Sequence, residues 1–221
     1  MTVELEVLPD AEAVARRGAD IVASAARAAT AGGGMFTFAV SGGRSPWAMF
    51  RRLASEEDLP WASVGIWQVD ERIAPDGDPD RNLTELGPVM PVEAALHPMP
   101  VTDPDIEAAA AAYADSLPSA FDLVHLGMGE DGHTASLVPG DAVLEVDDRD
   151  VAITGEYRGR RRMTLTYRAL DRASRAVWLV TGADKATMLA RLLARDRSIP
   201  AGRVAIAHQV VVADAAAASE S

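Results

Sequence analysis

Residues 127–140 (GMGEDGHTASLVPG) bring glycines, a histidine and two carboxylates together in one short stretch. The glycines fit the spacing G-x-G-x-x-G, which is typical of a loop that binds the pyrophosphate of a dinucleotide. The same stretch places His133 after Glu130 and Asp131. Because an imidazole exchanges protons near neutral pH, this histidine could instead act as a catalytic base. The stretch therefore has two functional interpretations, a cofactor loop and a loop that presents a base.

The features around the glycines favour the base. A preceding strand and the acidic residues within 147–150 agree with a cofactor loop. However, such a loop opens a full-length helix in the first strand–helix unit of its fold, and here Pro139-Gly140 soon interrupts the chain. A surface histidine at a helix start is the structural alternative. We interpret His133 as a candidate base and Asp131 as the carboxylate that orients it or binds substrate.

Residues 41–46 (SGGRSP) follow a short apolar run and resemble a loop that cradles phosphate. Glycines let backbone N–H groups approach an anion, and a helix N-terminus favours negative charge. Ser45 and Pro46 predict a helix that the serine caps and that has proline at its first position. A tight turn with an ordinary cap is the alternative. The candidate phosphate-binding residues are Ser41, Gly42, Gly43 and Ser45.

Four charged residues complete the candidate site. Asp70 and Arg72 directly follow an apolar run, where the carboxylate could accept from hydroxyl groups and the guanidinium could donate to phosphate or an oxyanion. A surface ion pair is the alternative. Arg162 begins the segment RMTLT and Lys185 lies in the segment GADK, so each could bind an anion, although a single such cation is most often a solvated charge.

Several chemistries lack their motifs in this chain. The patterns H-E-x-x-H and G-x-S-x-G are absent, which argues against a zinc protease and a serine hydrolase. The four histidines have no metal-ligand spacing; they are His97, His125, His133 and His208. We therefore expect no metal site.

Composition excludes other classes. The chain has 221 residues, a net charge of −12 and no basic run, so a nucleic-acid partner is not expected. It has no cysteine, which rules out disulfides and thiolate metal sites. The acidic start MTVELEVLPD does not fit a secretory signal, and no apolar run reaches the roughly 18 residues of a membrane span. We expect a cytoplasmic protein with no membrane partner.

Strands and helices alternate along the chain. The predicted strands are Thr2–Leu8, Met35–Val40, Val64–Val69, Phe121–Leu126, Arg162–Thr166 and Ala176–Val180, with weaker candidates at Val204–Ala207 and Val210–Val212. The predicted helices are Ala11–Ala31, 45–55, Asp103–Leu117, Tyr167–Ala173 and 182–193. Residues 70–82 are expected to form a polar loop, and Ala215–Ala218 with the following SES to fray. The alternation predicts an α/β fold, residues 1–221 forming a single domain with a mainly parallel sheet and helices on both faces. Ligands bind at the carboxyl ends of such strands, so segments 41–46, 70–72, 127–133 and 181–185 should share one rim.

The order of five segments resembles the 6-phosphogluconolactonase family over about residues 5–215. The segments are SGGRSP, QVDERIAPDGDPDRN, FDLVHLGMGEDGHTASLVPG, RRMTLTYRAL and TGADKATML. The resemblance implies a Rossmann-like α/β fold, shared with the glucosamine-6-phosphate deaminases. It also implies hydrolysis of 6-phospho-D-glucono-1,5-lactone to 6-phosphogluconate in the pentose phosphate pathway, with no metal and no nucleotide cofactor.

The resemblance also implies roles for individual residues. His133 matches the general base, and Asp131 the carboxylate of the D-G-H triplet. Arg162 and Lys185 match the cations that hold the sugar phosphate. The positions of the phosphate loop are matched by Gly42, Gly43 and Ser45, and those of the DER segment by Asp70 and Arg72. In this hypothesis water attacks the lactone carbonyl, and Arg72 or nearby N–H groups stabilise the oxyanion.

Two alternatives stay open beside the lactonase. Amino-sugar phosphate deaminases and isomerases have a similar D-G-H segment, but they carry a glutamate just before the proline, where this chain has Val138. Valine cannot move a proton, which favours the lactonase. A non-catalytic sugar-phosphate-binding module is the second alternative, although regulators of that kind usually carry a DNA-binding domain, for which we expect too few residues here. The segment TGEYRGRR at 154–161 replaces the Lys-Pro-Pro-like run usual in the lactonases.

Overall fold

Seven parallel strands form the main sheet of the computed structural model, which describes residues 2–56 and 58–220. The strands are Thr2–Leu8 (β1), Phe36–Val40 (β2), Val64–Gln68 (β3), Ala95–His97 (β5), Leu123–Leu126 (β6), Arg175–Val180 (β9) and His208–Asp214 (β10). Their spatial order is β1-β10-β9-β6-β2-β3-β5. All six neighbouring pairs run parallel, which confirms the predicted sheet.

Helices cover both faces of this sheet, as the alternation predicts. The bounds are Ala11–Thr30 (α1), Arg44–Ala54 (α2), Asn82–Leu86 (α3), Ile106–Asp115 (α4), Tyr167–Leu170 (α5), Ala186–Leu193 (α6) and Pro200–Arg203 (α7). One buried cluster joins α1 and α2 to the sheet, and a second joins α4, α5 and α6 to it. The Asp10 carboxylate accepts from the N–H of Ala13 at 2.8 Å and so caps α1, as expected. Among the described residues, no helix is long and apolar enough to cross a bilayer.

A second, antiparallel sheet lies at the carboxyl edge of the first and was not predicted. It has the order β4-β8-β7, with the bounds Asp70–Arg72 (β4), Val151–Ile153 (β7) and Arg162–Leu165 (β8). Val69 links the two sheets, because its N–H donates to Val40 of β2 and its carbonyl accepts from Leu165 of β8. The prediction of a polar loop from residue 70 is therefore wrong at its start, where the DER segment is a strand.

Other differences concern short elements. Strands β5 and β7 have only three residues each, too few for a periodic pattern to stand out. The prediction of a weak strand at Val204–Ala207 is wrong, because this segment is the connection between α7 and β10. Residues 217–220, where fraying is predicted, form a 3-10 turn in which Ala217 is buried and Glu220 accepts from Thr187. Ser221 lies outside the described residues.

His125 is buried within β6, directly below the candidate phosphate loop. Its Nδ1 accepts from the backbone N–H of Ser41 at 3.4 Å, and its ring meets Phe50 edge to face at 5.7 Å. Its Nε2 has no hydrogen-bond partner within the described part of the chain. Burial lowers the pKa of His125 to about 3, so the imidazole is neutral in the folded protein.

We expect His125 to make the protein less stable in mild acid. The unfolded chain binds a proton at this histidine below about pH 6.5, whereas the folded chain does not until about pH 3. The contribution of His125 to the free energy of unfolding is thus fully present above pH 6.5. It is lost at roughly 1 kcal/mol per pH unit as the pH falls from there toward pH 3. Urea unfolding between pH 7 and pH 4 should show a shallower pH dependence for His125→Gln than for wild type. His208→Gln, at an exposed position, should leave the slope unchanged; equal slopes for all three proteins would contradict the assignment.

Candidate active site

The four segments predicted to share one rim meet at a single cavity of about 310 Å³. They follow β2, β3, β6 and β9, whose carboxyl ends lie side by side in the sheet. All predicted site residues except Asp131 line this cavity: Ser41, Gly42, Gly43, Ser45, Asp70, Arg72, His133, Arg162 and Lys185. Asp131 contacts the cavity histidine instead. A cavity of this volume suits a small molecule such as a sugar phosphate.

The candidate phosphate loop turns sharply at its glycines. Gly43 has a φ of 127°, a value that glycine adopts readily, and α2 begins at the next residue. A Cβ at Gly42 would overlap the side-chain amide of Asn82, so the glycine permits the close approach of Asn82 to this loop. The expectation that Ser45 caps α2 is wrong, because Gly43 occupies that position and makes no side-chain cap. The Ser45 hydroxyl instead lies 2.7 Å from that of Thr181, which follows β9 and also lines the cavity.

Pairing of β4 with β8 places two arginines opposite each other at the cavity. Arg72 and Arg162 are directly paired in the antiparallel register, and both line the cavity. Side chains of such pairs lie on the same face about 5 Å apart at their Cβ atoms, and two like charges there repel. An anion between the guanidinium groups would remove this repulsion. The pairing therefore favours an anion site in this part of the cavity.

Arg162 has few partners for a buried cation. It is 6% exposed, and its Nε has no hydrogen-bond partner among the described residues. Nη1 lies 3.4 Å from Ser136 Oγ, which donates to the Asp70 carboxylate at 2.6 Å. Burial lowers the pKa of Arg162, and the charge of Asp70 opposes that effect. A buried guanidinium with an unused donor on a cavity wall is suited to bind an anionic ligand.

Glu71 supports the cavity from the opposite face of β4. It is fully buried, and its carboxylate accepts at 2.8 Å from the backbone N–H groups of Arg72, Asn82 and Leu83 and from the Gln68 side chain. It thereby fixes the start of α3, including Asn82, whose Oδ1 accepts from the guanidinium of Arg72. Sequence reasoning missed Glu71, although alternation along DER places it on the face opposite to Asp70 and Arg72.

The loop after β6 is built around His133. The N–H of Gly129 donates to the carbonyl of His133 at 2.8 Å, and Gly132 adopts a φ of 80°. A Cβ at Gly129 would overlap the imidazole ring, so glycine is required for this close approach. Residues 127–140 form turns and an isolated bridge, with no helix after the glycines. The glycines thus bend the backbone around the histidine, in agreement with the catalytic interpretation of the motif.

Asp131 holds the His133 ring at a defined nitrogen. Its Oδ1 lies 2.5 Å from Nδ1 and also accepts from the His133 N–H at 3.2 Å. Burial alone would raise the pKa of Asp131, but the hydrogen bonds and charge of His133 lower it well below its ordinary value. Asp131 is therefore ionised near neutral pH and only accepts, so Nδ1 carries the proton and Nε2 is the basic nitrogen.

Lys185 contributes a cation on the wall beside β9. It ends a 3-10 turn over Ala183–Lys185, and its side chain is 18% exposed. Its Nζ lies 3.2 Å from the carboxylate of Asp184, which also lines the cavity. Lys185 therefore lies at the predicted site, where it forms an ion pair with the neighbouring carboxylate of Asp184.

Comparison with known proteins decides the family. The family model described as "Glucosamine-6-phosphate isomerases/6-phosphogluconolactonase" matches residues 9–213. The chain belongs to this family.

Relatives within this isomerase and lactonase family include proteins named 6-phosphogluconolactonase. One from Synechocystis sp. is 35% identical over 211 residues, covering 89% of this chain and 87% of the relative. One from Streptomyces coelicolor is 33% identical, covering 99% and 95%. The solved 6-phosphogluconolactonase from Thermotoga maritima superposes with a TM-score of 0.86 at 26% identity, covering 96% of this chain and 100% of that one.

The fold of this family does not separate its two activities. A monomeric glucosamine-6-phosphate deaminase superposes with the same TM-score of 0.86 at 18% identity, which shows a shared fold alone. Val138, which takes the place of the glutamate expected in a deaminase, is 4% exposed and does not line the cavity. This position therefore supplies no acid–base group to the site.

Several residues at the cavity were not predicted individually. Asn82 and Thr181 lie within the segments QVDERIAPDGDPDRN and TGADKATML, while Arg158 comes from the segment between β7 and β8. Nearby, Tyr157 contacts Asp131, and Ser136 joins Asp70 to Arg162. One sequence signal could have predicted the position of Tyr157 and Arg158. Gly159 after Arg158 is compatible with a two-residue hairpin turn between short strands.

Proposed function

We propose that this chain hydrolyses 6-phospho-D-glucono-1,5-lactone to 6-phosphogluconate. Membership of the family and the names of its relatives support this reaction. The observation that carries it is His133, held by Asp131 on the wall of a cavity that also contains the paired guanidinium groups of Arg72 and Arg162. A base and an anion site in one cavity suit an ester that carries a remote phosphate.

Phosphate binding positions the lactone in this proposal. The phosphate binds the N–H groups at Gly42 and Gly43 and the cations Arg162 and Lys185, all of which line the cavity. Binding energy from this remote group places the lactone carbonyl near His133, so that it contributes to orientation of the reacting atoms. Asp70 lies beside them and could accept from sugar hydroxyl groups.

The hydrolysis needs one base and one water. Nε2 of His133 takes a proton from water as the oxygen attacks the lactone carbonyl carbon. The tetrahedral oxyanion is stabilised by Arg72 or by backbone N–H groups of the cavity. As the carbonyl re-forms, the bond to the ring oxygen breaks, and the imidazolium returns its proton to that oxygen. A δ-lactone is an activated ester, so this route requires no covalent intermediate.

The first experiment measures acid release from freshly generated 6-phosphogluconolactone, with and without the protein. The lactone also opens without catalysis, so the protein-free rate is the essential blank. Glucosamine-6-phosphate is tested in parallel by ammonia release. Rapid lactone opening that is lost in His133→Ala supports the proposal. Ammonia release would assign the chain to the deaminase branch. No reaction above the blank with either substrate would favour a sugar-phosphate-binding module.

The setting of the reaction belongs to the same proposal. We propose that the protein acts in the cytoplasm as a single domain and binds the sugar phosphate lactone without a nucleic-acid partner. Its net charge of −12 supports the last point, because phosphate backbones attract basic proteins.

A further inference from the structure

A tight turn at residues 157–160 closes the connection between β7 and β8. The N–H of Tyr157 donates to the carbonyl of Arg160 at 3.0 Å, and the reverse bond is 3.3 Å. Arg158 and Gly159 both have left-handed φ values, 52° and 76°. Two such residues in succession are typical of a type I′ hairpin turn, which matches the twist of antiparallel strands. The turn thus continues the connection between β7 and β8 beyond the second sheet, as an isolated antiparallel bridge.

Ion pairs fasten this turn to both sides of the cavity. On one side, Arg158 Nη2 lies 2.7 Å from the Glu130 carboxylate, on the loop that carries the base. On the other side, Arg160 lies 3.0 Å from Asp78 and 3.2 Å from Asp80, in the segment that follows β4. Exposed pairs of this kind contribute little stability singly, but together they define where the turn sits.

Tyr157 points from this turn to the carboxylate that holds the base. Its hydroxyl donates to Asp131 Oδ2 at 2.9 Å, while Asp131 Oδ1 binds Nδ1 of His133 at 2.5 Å. The tyrosine ring also meets the imidazole ring edge to face, with centroids 5.6 Å apart. Both oxygens of Asp131 are therefore engaged, and the imidazole is held from a second direction.

Two guanidinium groups fix the tyrosine ring in turn. The Cζ atoms of Arg158 and Arg162 lie 5.3 Å and 5.0 Å from its centroid, within the range of cation–π attraction. Burial and the bond to Asp131 raise the pKa of Tyr157, so the hydroxyl keeps the proton that it donates. The candidate anion site and the candidate base are thus joined through one aromatic side chain.

We propose that Tyr157 is a positioning residue for the hydrolysis, holding Asp131, and through it His133, in the orientation that presents Nε2 to water. The inference rests on the proposed function. Loss of the hydroxyl would let the Asp131 carboxylate rotate. The imidazole of His133 would then spend less time in the orientation that can take a proton from water. Since substrate binding does not use this hydroxyl, the effect falls on turnover.

Tyr157→Phe is the direct test, and the chain offers a matched control. We expect kcat to fall about tenfold and KM to stay within about twofold, because a hydrogen bond to a charged partner is lost. Tyr167→Phe removes an equivalent hydroxyl, which donates to Pro200 O at 2.9 Å beneath the guanidinium of Arg203, away from the cavity. It should leave kcat unchanged. An unchanged kcat in Tyr157→Phe would overturn the inference.

A double-mutant cycle separates positioning from general damage. If Tyr157 acts through Asp131, then Tyr157→Phe adds almost nothing to the loss already caused by Asp131→Asn. Fully additive losses would contradict the inference.

Proton NMR provides a readout that does not depend on activity. The proton shared by Asp131 and Nδ1 of His133 should give a strongly downfield signal in wild type. This signal should shift or broaden in Tyr157→Phe and stay unchanged in the control Tyr167→Phe. A wild-type protein with that signal but without lactonase activity would refute the proposed function, whereas a signal insensitive to Tyr157→Phe would refute this inference.

Discussion

Replacing His133 by alanine is expected to lower kcat by about 10²–10⁴-fold while KM stays nearly unchanged. The magnitude is that of general-base catalysis, because the variant loses only the group that takes the proton from water. The substrate is held by cations and N–H groups elsewhere in the cavity, so binding persists. Steady-state rates corrected for the uncatalysed opening of the lactone measure both constants.

His208→Ala is the matched control for this experiment. His208 is exposed at the start of β10, the end of the strand opposite to the carboxyl edge that carries the cavity. Its replacement should leave both constants at wild-type values, with a similar loss of imidazole from the chain. If His133→Ala retained near wild-type turnover, His133 would have no part in the mechanism. If KM rose in parallel with the fall in kcat, the histidine would also be holding substrate.

The parallel sheet was predictable because its central strands carry strong local signals. Segments such as 36–40 and 123–126 are short apolar runs followed by glycines, so each strand and the turn that ends it are encoded together. In the antiparallel sheet only β8 carries such a signal, and it was predicted as the strand Arg162–Thr166. The strand at 70–72 is polar, and it becomes a strand only because Val69 carries the chain from one sheet to the other. Tertiary pairing, not local preference, creates this element.

The same distinction separates the site residues that were predicted from those that were missed. His133, Asp131 and the phosphate loop lie in contiguous motifs whose residue types already indicate their chemistry. Tyr157 reaches the site through a pairing between residues 151–153 and 163–165, which no short pattern reveals. The erroneous cap at Ser45 has a similar origin, since its hydroxyl lies beside that of Thr181, which is distant in sequence and directly follows β9.

Replacing Arg162 by methionine is expected to lower kcat/KM for the phosphorylated lactone by about 10²–10³-fold, mainly through KM. Removing one partner of a buried charge pair costs roughly 2–5 kcal/mol of binding, and each 1.4 kcal/mol is about tenfold. The hydrolysis of unphosphorylated glucono-1,5-lactone should change by less than about threefold, because that substrate has no phosphate to lose. Methionine keeps much of the side-chain length, so packing against the Tyr157 ring is partly preserved.

Arg161→Met is the control, since the neighbouring side chain is more than half exposed and lies 3.9 Å from Glu107 rather than in the cavity. It removes the same charge from the chain and should leave the hydrolysis of both substrates unaffected.

Inorganic phosphate adds an equilibrium test of the proposed anion site. An anion that relieves the repulsion between Arg72 and Arg162 stabilises the folded state, so phosphate should raise the Tm of wild type and raise that of Arg162→Met much less. Equal loss of activity with both lactones, and no change in the phosphate effect, would instead place Arg162 at the reacting carbonyl. The phosphate would then have to be held by Lys185 and the glycine loop alone.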